Sequence, residues 1–312
     1  MRKHESRSFL PDINNNYELT AECQNSHNQQ CWDKSIFKKQ ADSTDNILHG
    51  PILLHTQDYS SITTFIFTSC EWISCEGGIG GGIYTTKSGS TLKVISCYFH
   101  DCYAENDFGG GIAAEHLDNV YIYLSTFAEC HGIDTDNTNS GGGAVFLNDT
   151  QQLHQIHDCD FIGCYSGADG GAFHLRNSKV MQTDGVANTR FINCKTLLDG
   201  TGVEGGAGQS ASVEVTCSFS NSLICACCSS NGGGFYLHVK EDSSTNLMSF
   251  CFFHDNIASG HGNDLGLGYF SRDIHNRLII YSISTSSESI LFKTDGEWYS
   301  IDDDDWLPQG DM

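Results

Sequence analysis

The stretch "CYFHDCYAENDFGGGIAAE", residues 97–115, is one copy of a unit that recurs along the chain. That recurrence restricts the fold more than any other feature, because a fixed period means stacked equivalent units. Other copies read "CEWISCEGGIGGGIYTT", "STFAECHGIDTDNTNSGGGAVFL", "CDFIGCYSGADGGAFHL", "TRFINCKTLLDGTGVEGGAG", "CSFSNSLICACCSSNGGGFYLHV" and "CFFHDNIASGHGNDLGLG". Their aromatic residues are Trp72, Phe99, Phe127, Phe161, Phe191, Phe219 and Phe253, separated by 27, 28, 34, 30, 28 and 34 residues.

A helical repeat would place apolar residues three and four apart. Here the apolar segments are short, alternating and β-branched, as in "ITTFIFTSC", "NVYIYLSTF" and "GGFYLHV". A unit of this length holds about three short strands and their turns, which is one coil of a parallel β-solenoid. The predicted class is therefore all-β, with about seven recognisable coils and capped ends. Successive coils lie about 4.8 Å apart, so equivalent side chains stack as ladders.

The aromatic residues form one expected inward column. Three positions on, Cys75, Cys102, Cys130, Cys164 and Cys194 form a second, which ends in Asn256. Strict alternation would put the two columns on opposite faces, so a corner must lie between them. In the copy containing Phe219, either Ser222 or Cys225 can take the +3 place. The glycines open a strand in every coil and mark turns. A phosphate cradle would instead occur once, before a helix and with a lysine nearby.

Residues 49–268 are assigned to the repeats, with 49–61 as an incomplete first coil. Residues 1–48 read as a polar N-terminal segment or cap, 269–300 as capping strands and 301–312 as a disordered acidic tail. Capping is needed because a bare end coil exposes a strand edge.

Lys+Arg 16 against Asp+Glu 39 gives a net charge of −23. Such a balance repels nucleic acid and anionic lipid and argues against both as partners. No apolar run approaches the roughly 18 residues of a membrane span, and the opening "MRKHESRSFLPDINNNYELT" has no apolar h-region. The expectation is then either an intracellular protein or a chain that lacks its true N-terminus.

The chain has 15 cysteines. Stacked equivalent cysteines have near-parallel Cβ vectors at the rung spacing, slightly wide for a disulfide, so the column is expected to hold buried free thiols. Cys70 and Cys97, two positions before the aromatics, share that geometry. Cys23 and Cys31 lie outside it and can pair in an exported protein. Cys225, Cys227 and Cys228 are the candidate metal ligands, although no second Cys pair or His pair lies near them. No cofactor is expected, and the acids do not follow the nonapeptide pattern of calcium-binding solenoids. The His-Asp pairs at 100–101, 157–158 and 254–255 do not share a register, so they read as surface residues.

Asp169 and Glu204 each precede a glycine pair on successive coils, and stacking can bring them to about 5 Å, the spacing of a retaining glycosidase pair. With Arg176 on the following strand, they are the candidate catalytic residues of a polysaccharide lyase or hydrolase. No catalytic motif surrounds them.

The F-x-x-N/C and G-G-A-[ILVF] repeats, clearest in "FIGCYSGADGGAFHL" and "GGGAVFL", resemble those of right-handed, single-stranded parallel β-helix proteins. These include the chlamydial polymorphic outer-membrane proteins and similar protist surface proteins. The likeness covers about residues 62–268. It implies a right-handed helix at the cell surface or secreted, with a non-enzymatic, adhesin-like role and no shared catalytic residues. The polar connectors of changing length, such as "YAENDF" and "HGIDTDNTNS", are the expected contact points for a protein or carbohydrate partner. The oligomeric state is left open.

Overall fold

The computed structural model describes residues 29–33, 35–38, 52–53, 61–105, 108–133, 141–150, 155–176, 185–197, 205–212, 218–231, 233–239, 246–249, 251–261, 265–268, 278–281, 290–294, 297–302 and 305–308. They form an all-β parallel solenoid, with no helix among the described residues. Each turn runs through four strands. In one turn these are Thr64–Thr68, Glu71–Ile73, Glu76–Gly77 and Ile83–Thr85. Each pairs in parallel with its equivalent one turn on, through Thr91–Ile95, Tyr98–His100, Tyr103–Ala104 and Ile112–Glu115. The result is four sheets, of nine, eight, seven and eleven strands. Residues 61–212, the most completely described stretch, hold five turns, and strand pairing continues beyond them.

The corner inferred between the aromatic and cysteine columns is built from left-handed backbone. Ser74, Asp101, Glu129, Asn193, Ala226 and Asp255 have φ between 50° and 55° and lie just before the second column. Ser69, Ser96, Leu124, Asp158, Asn188 and Asn221, with φ between 47° and 54°, do the same on the other side of the aromatic strand. Asn, Asp and Ser suit such sites because a short polar side chain can bond locally. Breaking the alternation at both corners turns the following residue inward. Two buried columns result. One holds Cys70, Cys97, Ser125, Cys159, Thr189, Ser222 and Cys251, the other Cys75, Cys102, Cys130, Cys164, Cys194, Cys227 and Asn256.

These small polar side chains serve carbonyls that the ladder leaves at the corner. The Cys97 Sγ lies 3.3 Å from the Ile95 carbonyl and 3.5 Å from that of Phe67 in the preceding turn. The Ser125 hydroxyl donates to the Tyr123 carbonyl at 2.8 Å and accepts the Cys97 N–H at 3.1 Å. Asn256 accepts the Cys227 N–H at 3.0 Å and donates to the Ile224 carbonyl at 3.1 Å. The described cysteines are free thiols. Burial pushes the thiols of Cys130, Cys164 and Cys227 well up, and that of Cys159 to about 12, so they stay protonated. Cys130→Ala is expected to cost about 1 kcal/mol, and Cys130→Leu more, through overpacking of about 1–3 kcal/mol. Thiol labelling should be slow until the chain unfolds. Rapid native labelling of Cys130, or a leucine variant as stable as the alanine one, would contradict this packing.

The aromatic ladder stacks ring on ring. Centroids are 4.9 Å apart for Phe37–Trp72, 4.3 Å for Trp72–Phe99, 4.7 Å for Phe99–Phe127, 5.0 Å for Phe127–Phe161 and 4.8 Å for Phe161–Phe191. One member differs from the sequence expectation. Ile224, not Phe219, pairs with Phe191 and Phe253, while Phe219 pairs with Val186 and Met248 in the nine-stranded sheet. Consequently neither Ser222 nor Cys225 takes the +3 place; Cys227 does, with its Sγ 3.7 Å from the Phe191 carbonyl. The left-handed residues Asn221 and Ala226 set this register, because each must sit at a corner.

The ladder also starts before the recognisable motif. Gln29–Asp33 and Ile36–Lys38 pair with the first full turn, and Trp32 stacks on Phe67 at 4.4 Å. At the other end Ile290–Thr294, Glu297–Asp302 and Asp305–Pro308 run antiparallel to one another and extend the eleven-stranded sheet. Asp305–Pro308 thus pairs where the sequence reading expects a disordered tail. Its Trp306 and Leu307 are apolar, and the four preceding acids mask that in a composition-based reading.

Candidate functional site

Two of the four corners are constant and two are not. Two residues always separate the nine- from the eight-stranded sheet and the eight- from the seven-stranded sheet. The connectors from the seven- to the eleven-stranded sheet are 78–82, 105–111, 133–144, 167–172, 197–207, 232–234 and 262–264, three to twelve residues long. Connectors leaving the eleven-stranded sheet also vary. The constant corners are those whose side chains fill the core, so insertion there would break both columns.

Asp169 lies in one variable connector and is 8% exposed. Its carbonyl accepts the Ser166 hydroxyl at 3.0 Å and the Gly142 N–H at 2.9 Å. Glu204 is outside the described residues, so the predicted carboxylate pair is not part of the described geometry. Arg176 ends the strand Phe173–Arg176, three residues and about 10 Å beyond its start. It continues the row Glu115–Asn148, in which the Glu115 carboxylate accepts the Tyr84 hydroxyl at 3.3 Å and the Asn148 amide at 3.1 Å.

The three clustered cysteines do not converge. Alternation would put Cys225 and Cys227 on one face, but the left-handed Ala226 turns Cys227 into the core and leaves Cys225 and Cys228 half-buried on either side. Among the described residues no group of three metal-ligating side chains forms. The His-Asp pairs also have separate surroundings. His100 approaches Glu129 at 3.7 Å, Asp101 accepts Ser74 at 3.0 Å, and His254 lies 3.3 Å from Asp255.

Two features were not read from the sequence. The first is an outward column on the seven-stranded sheet, four positions after each aromatic: Glu76, Tyr103, His131, Tyr165 and Lys195. Tyr103 and His131 stack at 4.9 Å, His131 and Tyr165 at 4.6 Å, and the Lys195 Nζ sits 5.7 Å from the Tyr165 ring centre. Burial raises the Tyr165 phenol pKa, with Asp101, Tyr103 and Glu129 adding to the effect.

The second is His174. It points away from the core on the eleven-stranded sheet, yet is 3% exposed, with neither ring nitrogen hydrogen-bonded. Its ring sits against Gly141, where a Cβ would come within 2.2 Å of Nδ1 and 2.3 Å of the Asp169 carbonyl oxygen. Burial, and secondarily Arg176, push its pKa down to about 3. The unfolded chain binds a proton here below about pH 6.5, but the folded chain does not until about pH 3. Its share of stability is therefore complete above the unfolded pKa and is lost as pH falls. Between pH 7 and pH 5 the expected loss is about 2 kcal/mol. In His174→Leu, the difference in urea-unfolding free energy between those pH values should shrink by that amount. An unchanged difference would mean that the imidazole is solvated.

Comparison with protein-family models, with curated proteins and with solved structures gives no match. The class defined by the geometry is a parallel β-solenoid with a core of constant geometry and variable connectors along two edges of one sheet.

Proposed function

We propose that this chain is a non-enzymatic interaction scaffold, adhesin-like and surface-presented, whose variable connectors contact a protein or glycan partner. One observation carries the reading: length variation is confined to the two edges of the eleven-stranded sheet, while the other two corners keep two residues in every described turn. A stack of rigid turns holds such connectors in a row, and binding segments are commonly displayed in this way. The likeness of the repeat motifs to chlamydial and protist surface β-helix proteins supports the same role, and with it a right-handed coil and an extracellular location.

The test replaces connectors 133–144 and 197–207 with the five-residue "GIGGG" link, residues 78–82, of the first full turn. Binding to arrayed cell-surface proteins and glycans should be lost while the thermal unfolding transition remains. Polysaccharide cleavage by the parent protein, abolished by Asp169→Ala and Glu204→Ala, would overturn the reading in favour of a lyase or hydrolase. So would binding indifferent to every connector replacement.

A further inference from the structure

The two edges of the eleven-stranded sheet differ in their cations. The seven connectors from the seven- to the eleven-stranded sheet contain eight acids, from Glu105 to Asp264, and no lysine, arginine or histidine. The eight connectors leaving the eleven-stranded sheet also contain eight acids, but they carry Lys87, Lys179, Lys240, Arg272 and Arg277 as well. Beside the acidic edge runs the outward column Tyr103, His131 and Tyr165, flanked by Asp101 and by Glu129, whose side chain is 68% exposed.

Carboxylates and aromatic rings both attract an N–H-bearing cation. The protein already seats one such group on this surface, since the Lys195 ammonium lies over the Tyr165 ring and ends the column.

We propose that this face, from Glu76 to Tyr165 with Asp101 and Glu129 beside it, docks a short lysine- or arginine-rich segment of a partner protein. This rests on the interaction-scaffold reading and names the partner's chemistry. The segment lies along the solenoid axis. Three rungs from Glu76 to Tyr165 span about 14 Å, which four or five extended residues cover. That span favours a polypeptide over a small amine.

The experiment measures fluorescence anisotropy of a labelled peptide alternating glycine with lysine or arginine, at low and physiological salt, with spermine in a parallel arm. The double variant Asp101→Asn/Glu129→Gln removes two carboxylates from the face. Asp149→Asn/Asp158→Asn removes the same charge from left-handed corners elsewhere and serves as the control. The first should weaken peptide binding roughly tenfold at low salt and the second by less than about twofold. Equal weakening by both would reduce the effect to general attraction by an acidic protein and overturn the site. No peptide binding, or binding of spermine alone, would overturn it too. If connector-dependent binding of neutral glycans or non-basic proteins survives such a failure, only the basic-segment assignment falls.

Discussion

Gly171→Val should leave the chain unable to complete its native stack. Gly171 sits where the chain enters the strand Phe173–Arg176, and a Cβ there would lie 2.2 Å from the Gly206 carbonyl oxygen and 2.4 Å from that of Lys195. Both are backbone atoms, and Gly206 belongs to the next turn, whose Gly205 carbonyl accepts the Gly171 N–H at 3.0 Å. Relief would require moving a whole rung rather than rotating one side chain. The cost should exceed the roughly 1–3 kcal/mol of ordinary overpacking. Gly206 has the same surroundings, with a Cβ 2.2 Å from the Gly233 carbonyl oxygen. Thr135→Val, inside "DTDNTN", makes the comparison and should unfold within about 0.5 kcal/mol of the parent. Should the connector change prove more damaging in chemical denaturation, the assignment of these glycines to close interstrand approach would fail.

The glycines show how far the sequence carried. Their recurrence revealed a backbone constraint, but not which of two kinds it is. Positive φ falls on Gly170 and Gly205, while their neighbours Gly171 and Gly206 are needed for proximity alone. The interior was legible wherever a motif recurred in one register, as from Trp72 to Phe191. It failed at "CSFSNSLICACC", where Phe219 offers a familiar motif at the wrong corner. Requiring two residues at each corner selects Ile224, at separations of 33 from Phe191 and 29 from Phe253. The same rule would have found the early rung, since Ser35 and Phe37 repeat the spacing of Ser125 and Phe127.

The outer surface was harder to read because stacking does not force identity there. The column four positions after the aromatics runs Glu76, Tyr103, His131, Tyr165 and Lys195, so no motif marks it. Its register follows from the core, but its chemistry is particular to each turn. His174 was hidden for another reason. Alternation assigns it to the outside of its sheet, where the connector backbone at Gly141 and Asp169 covers it beside the Phe146 ring. Variable-length segments carry no period from which such cover can be predicted.

Phe161→Ala should lower the unfolding free energy by about 3–5 kcal/mol. The ring is fully buried and stacked between Phe127 and Phe191, with interplanar angles of 4° on both sides. The strands Thr126–Ala128, Asp160–Ile162 and Arg190–Ile192 are tied in register by their ladders, so the neighbouring rungs cannot close the gap. The cavity therefore persists, and both facing rings lose a partner. Ile162→Ala, one residue away but pointing outward and 38% exposed, should change stability by no more than about 0.5 kcal/mol. In a solenoid each rung contacts only its neighbours, so the damage should also be local. Amide exchange should quicken most in residues 126–131 and 190–195, next to the missing ring. Near-parental unfolding of Phe161→Ala would place that ring outside the core and refute the stacking register from which the site was built.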